Sequence, residues 1–177
     1  MTGEETLWFL GTLARIKLDA TDTGGRFALW EGVLPRGAAP PLHSHPQDET
    51  FYVLEGRVTT WLVEPELAVG DGDLGDPPAW LTERARLCEV GDAVHAPAGT
   101  PHTFHVESDT AKMLFLSTPA GVEEFVRGLA EPARFPWLQP PPDGPRVSAE
   151  LMEKVERETG MVRYGPAPSA FAAQLTG

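Results

Sequence analysis

The 177-residue chain carries 26 Asp and Glu against 14 Lys and Arg, a formal net charge of -12. Such an excess of negative charge excludes nucleic acid and anionic membrane surfaces as partners, because both demand clustered Lys and Arg. With 18 Gly, 18 Pro and one Cys, the chain suits a single packed domain of short strands and turns, and can form neither an internal disulfide nor a thiolate metal cluster.

The opening "MTGEETLWFL" has neither the basic start nor the long apolar core of a signal peptide, and no apolar run reaches transmembrane length. The expected location is the cytoplasm. From Leu7 to Thr118 short β-type runs alternate with Gly, Pro and Asp: "TLARIKL", "RFALWEGVL", "ETFYVLEG", "RVTTWLV", "ARLCEV", "DAVHAP", "HTFHVES" and "AKMLFLS". Many short strands separated by turn signals predict an all-β antiparallel sandwich or barrel over residues 1–118. Cys88 falls in one of these runs and reads as a buried apolar residue. The Gly-, Asp- and Pro-rich stretch at 64–84 predicts an exposed loop, either a lid over one end of the barrel or a plain surface excursion.

After Thr118 the periodicity changes. Val122, Phe125, Val126 and Leu129 recur at helical spacing, which predicts an amphipathic helix stopped by Pro132. A stiff connector, "FPWLQPPPDGP", leads to a second helix from an N-cap at Ser148, with Glu150 in its first turn, to Gly160. Leu151, Met152 and Val155 are its docking positions. Residues 119–177 are thus read as a helical appendage packed on the barrel within the same domain, its helices serving packing rather than chemistry.

Two stretches hold all five histidines. In "PPLHSHPQDETFYVLEG", His43, His45 and Glu49 share parity, so in extended chain they fall on one face if the turn at Pro46 is tight. In "GDAVHAPAGTPHTFHV", Gly91, Pro97, Gly99 and Pro101 force sharp turns before His102 opens a strand. A barrel can lay the two strands side by side and bring three imidazoles and one carboxylate to one point. Those donors suit one divalent transition-metal ion: Fe, Mn, Ni, Co, Cu or Zn. Four protein ligands on an octahedral ion leave two positions open, a catalytic arrangement. By alternation from His102, His105 faces the other way; His95 is undetermined. Both read as packing or surface residues.

The first stretch spaces Gly37, five residues, His43, one, His45, three, Glu49, six, Gly56; the second spaces Gly91, five, Pro97, one, Gly99, two, His102. Together they resemble the two sequence motifs of the cupin superfamily, with Val106 standing where an asparagine often closes the second. The resemblance implies a jelly-roll, or double-stranded β-helix, barrel with short C-terminal helices. It also implies metal ligands at His43, His45, Glu49 and His102. Edges of a jelly roll need covering, so a homodimer is expected, and "TLWFL" at residues 6–10 either closes its own barrel or joins a neighbour's sheet.

Inward parity also carries Phe51, Val53 and Phe104, which predicts an apolar, aromatic-lined pocket for a ring-containing small molecule. The tail "STPAGVEEFVRGL", with the proline-rich connector and short helix, resembles single-barrel bacterial proteins similar to quercetin 2,3-dioxygenase. That implies an enzyme, a metal-dependent dioxygenase taking dioxygen and a flavonol-like or other enolic aromatic substrate, with Glu49 as ligand and general base. The alternatives are a metal-dependent isomerase, cyclase or lyase on a polyketide-like compound, and a non-catalytic small-molecule-binding protein.

Overall fold

Apolar residues at every second position drive the strands of this chain into two facing antiparallel sheets, described in a computed structural model for residues 5–64, 84–133, 135 and 147–165. The larger sheet contains β1 (Glu5–Phe9), β2 (Thr12–Leu18), β3 (Ala28–Pro35), β5 (Asp48–Glu55), β8 (Ala93–Ala96), β10 (Thr110–Thr118) and β11 (Ala130–Pro132). Its spatial order is β11-β1-β2-β3-β10-β5-β8. The smaller sheet contains β4 (Leu42–Ser44), β6 (Val58–Leu62), β7 (Arg86–Cys88), β9 (His102–Val106) and β12 (Val162–Gly165), ordered β12-β4-β9-β6-β7. Three helices occur among the described residues: α1 (Ala20–Thr23), α2 (Val122–Leu129) and α3 (Ala149–Thr159).

Register sets what faces inward. Strand β10 lies between β3 and β5, and pairs Phe115 with both Trp30 and Phe51, and Met113 with Val53. All five are buried. Trp30 stacks on Phe115 with ring centroids 3.8 Å apart and planes within 6°. Phe51 meets both Phe104 and Phe115 edge to face, the arrangement the ring quadrupole favours. Cys88 is free and fully buried against Thr60, as its apolar surroundings predict.

Gly56, which closes the first motif, is required by the backbone. Its φ is +82°, and a Cβ there would lie 2.5 Å from Ser108 Oγ and 2.9 Å from Ala111 Cα, besides striking the Thr110 carbonyl. Gly56→Ala therefore combines an unfavourable backbone conformation with a clash that only backbone movement relieves. The expected loss is about 2 kcal/mol or more in chemical denaturation, against a smaller loss, the backbone part alone, for Gly11→Ala, where φ is also positive but nothing lies within 4 Å of the added Cβ. Equal losses at both positions would remove the steric part of this explanation.

The C-terminal region departs from the sequence expectation in two places. Helix α2 ends at Leu129 rather than at Pro132, and Ala130–Pro132 instead form β11, paired with β1. Pro132 can take that place because β11 is an edge strand, where a missing N–H is tolerated. Strand β1 lies between β2 and β11 in its own sheet, so "TLWFL" serves the protein's own barrel. Helix α3 begins and ends as expected, capped by the Ser148 hydroxyl and closed by Gly160 in the left-handed region. Its docking differs: Leu151 is exposed, while Val155 packs on α2 at Gly128, where a Cβ would come within 2.8 Å of it.

Helix α2 is fastened by charge. Glu123, fully buried, accepts from the Gly121 and Ala20 amides, while Arg127 pairs with Glu5, Asp19 and Glu124 at 2.8 Å each. Most of the expected 64–84 loop, Trp80 included, and most of the proline-rich connector lie outside the described residues.

Candidate metal centre

The two histidine stretches meet where the sheets face each other. His43 on β4 pairs directly with His102 on β9, and their rings lie 4.5 Å apart between centroids. His45 leaves β4 into the turn at Pro46, and Glu49 sits near the start of β5. The turn is held by the second motif: the Gly99 amide donates to the His45 carbonyl at 2.9 Å and the Ala98 amide to Asp48 Oδ1 at 2.7 Å. Gly99 adopts φ +75° to make that approach. The motif glycines and prolines thus shape one loop around the other.

One donor atom each from His43, His45, Glu49 and His102 lies within 4.8 Å of the rest. His45, Glu49 and His102 are buried, and His43 is half-buried at the cavity side. The ring orientations are fixed from behind: Nδ1 of His43 donates to the Pro41 carbonyl and Nδ1 of His102 to the Thr100 carbonyl, both at 2.8 Å. That is the habit of metal-binding imidazoles, since it turns Nε2 toward the ion. Nε2 of His45 and of His102 both point at Glu49 Oε2, at 3.1 and 3.3 Å. The two partners of His102, a carbonyl and a carboxylate, can only accept. Satisfying both takes a second ring proton or a cation.

Electrostatics keep His43 and Glu49 in binding form. Burial, followed by the neighbouring His102 charge, pushes the His43 imidazole down to about 3, so its lone pair is available at neutral pH. Burial alone would raise the Glu49 carboxyl, but hydrogen bonds from His102 and His45 outweigh it and hold the group at about 2. Three imidazoles, an ionised carboxylate and no thiolate make a set that fits one divalent transition-metal ion.

A cavity of about 370 Å³ opens onto His43 and Glu49. Phe51 and Phe104 line it. Val53 does not: it faces inward as its parity predicts but lies in the packed core. His95 and His105 lie apart from the cluster, the first exposed beside Thr50 and the second hydrogen-bonded to Glu107. The sequence reading left out Trp30 and Phe115, although alternation in "ALWEGVL" and "AKMLFLS" turns both inward. It also left out Phe125 on α2, Met152 and Glu156 on α3, and Arg163 on β12, all lining residues.

The fold and this cluster define a small jelly-roll protein built around a three-histidine, one-glutamate centre. Residues 30–75 match the family model described as a cupin domain. Over 121 residues the chain is 30% identical to quercetin 2,3-dioxygenase of Bacillus subtilis (strain 168), a stretch that spans 68% of this chain and 30% of that enzyme. Among solved structures, oxalate decarboxylase of Bacillus subtilis at pH 4.6 superposes with a TM-score of 0.50 at 19% identity, over 67% of this chain and 28% of the other. The formate complex of oxalate decarboxylase from Lactobacillus farciminis gives 0.50 at 17% identity, over 67% and 31%. The chain carries a cupin domain. It spans less than a third of the length of each of these three relatives.

Proposed function

We propose that the protein is a metal-dependent dioxygenase that cleaves a flavonol-like or other enolic aromatic compound. The observation that carries this reading is the aromatic cavity opening onto the metal centre, of a volume suited to a small ring system. His43, His45, Glu49 and His102 hold one divalent ion per chain, which when bound supplies a Lewis-acid centre for an enolic oxygen pair. Phe51, Phe104 and Phe115 hold the ring and exclude water. Glu49 is the carboxylate beside the ligand imidazoles, placed to take the enolic proton.

In this reading residues 1–118 and the 119–177 extension act as one unit, because Met152, Glu156 and Arg163 line the same cavity as His43. The protein works in the cytoplasm as a homodimer. Strand β1 cannot make the contact, being paired on both edges; strands that end a sheet, such as β8, can.

Similarity to quercetin 2,3-dioxygenase supports the substrate class. The test is oxygen uptake by metal-loaded protein given quercetin. The expected result is one dioxygen consumed per substrate lost and no reaction under nitrogen. Equal turnover under nitrogen would replace the dioxygenase by an isomerase, cyclase or lyase, and binding without turnover would leave a binding protein.

A further inference from the structure

Strands β1 and β2 are joined by only two residues, Leu10 and Gly11, between the facing pair Phe9 and Thr12. Both have positive φ, +46° and +84°, the signature of the type I′ turn that suits the twist of a hairpin. That turn favours Asn-Gly. Asparagine visits the left-handed region readily, whereas the leucine Cβ there crowds the following carbonyl. Among the described residues Leu10 is the only non-glycine with positive φ. It is also 49% exposed, so burial does not offset the strain.

The Leu10 side chain lines the cavity, as do the half-buried Met152 and Met161. Phe9, the residue before it, is anchored edge to face on Trp30 and Phe125, at 6.4 and 6.0 Å between centroids. The Thr12 hydroxyl donates to the Phe9 carbonyl at 2.7 Å and closes the turn. The turn thus stands on fixed supports and holds an apolar tip at the cavity. Strands β2, β3 and β10 lie between β1 and β5, the strand of Glu49. Leu10 and the metal centre therefore bound one cavity from different sides.

We propose that Leu10 is a specificity residue, held in an unfavourable turn position so that it covers the part of a substrate remote from the metal. It selects compounds with a further ring beyond those that carry the enolic oxygens. Covering the exposed half of a leucine side chain is worth roughly 5-fold in affinity. This deepens the reading of the site given above and rests on it.

The test is calorimetric binding to metal-loaded protein under nitrogen, with two probes. 3-Hydroxyflavone has a pendant phenyl ring; 3-hydroxychromone has the same enolic oxygen pair and fused rings without it. Leu10→Asn, which gives the turn its favoured sequence, should weaken 3-hydroxyflavone roughly 5-fold and leave 3-hydroxychromone within about 2-fold. Leu10→Ala should show the same split. Leu10→Met, which keeps a large apolar side chain, should bind like wild type. The turn has its own readout. Both Leu10→Asn and Leu10→Ala remove the apolar side chain, but only asparagine relieves the backbone, so it should melt about 2–4 °C above alanine.

Unchanged 3-hydroxyflavone affinity in Leu10→Asn and Leu10→Ala would overturn this role. So would an equal loss for both probes, which marks a general distortion of the cavity. A fall in molecular mass by light scattering in Leu10→Asn would assign Leu10 to a contact between copies instead. An asparagine variant that melts below the alanine one would remove the strain on which the proposal stands. If wild-type protein binds both probes alike, Leu10 has no such role and the flavonol reading stands. If it binds neither, both fall.

Discussion

A His43→Ala, His102→Ala double variant is expected to purify with essentially no bound metal by elemental analysis, where wild-type protein holds one divalent ion per chain. These two residues come from different motifs and face each other across β4 and β9, so the variant removes one donor from each of those two strands. Only His45 and Glu49 remain, too few to hold an ion of this type firmly. The barrel should still form, since Trp30, Phe115 and Met113 pack together away from the imidazoles. Replacing buried His102 also leaves a hole beside Phe51, which lowers stability whatever the metal does. The clean readout is therefore the thermal shift on adding metal. At an ion concentration about 100 times its dissociation constant, wild-type protein gains about 2.7 kcal/mol, and the variant should gain nothing. A variant that still carries one ion per chain would remove these residues from the site.

Glu49→Gln should leave metal and substrate binding in place and cut turnover by roughly 100-fold or more, the usual worth of a positioned general base. Glutamine keeps the shape and a ligating oxygen but cannot accept a proton. Among the described residues no other side chain offers that function beside the imidazoles: the other carboxylate lining the cavity is Glu156, held by Arg163. Near-normal turnover at full metal occupancy would reduce Glu49 to a ligand and favour chemistry that needs no base.

Much of the site was legible because its signals are local. His43, His45 and Glu49 lie within seven residues, and strand alternation decides their face. Gly56, Gly99 and Pro97 announce turns that the backbone then requires. Parity has a limit, and Val53 shows it: alternation gives the face of a strand but not the depth, so an inward residue can end in the core as readily as at the cavity wall. Strands β11 and β12 were illegible for another reason. Three or four residues are too few to show a period, and Pro132 argues against a strand until its edge position is known. Arg163 and Glu156 were missed with them, because their meaning comes from a pairing that no local pattern announces.

Strand β4 has only three residues, a single registered pair with β9, and β12 on its other edge. The Ser44 and Tyr164 hydroxyls, 120 positions apart in sequence, meet at 3.1 Å across that edge. So short a strand has little hold of its own, and with three registered pairs to β12 against one to β9 it opens when β12 leaves. The backbone amides around His43 thus belong to the same opening unit as α3 and β12, and their protection from solvent exchange follows how often the C-terminal segment undocks. A substitution in α3, far from any ligand in the sequence, can make the metal centre labile without touching it.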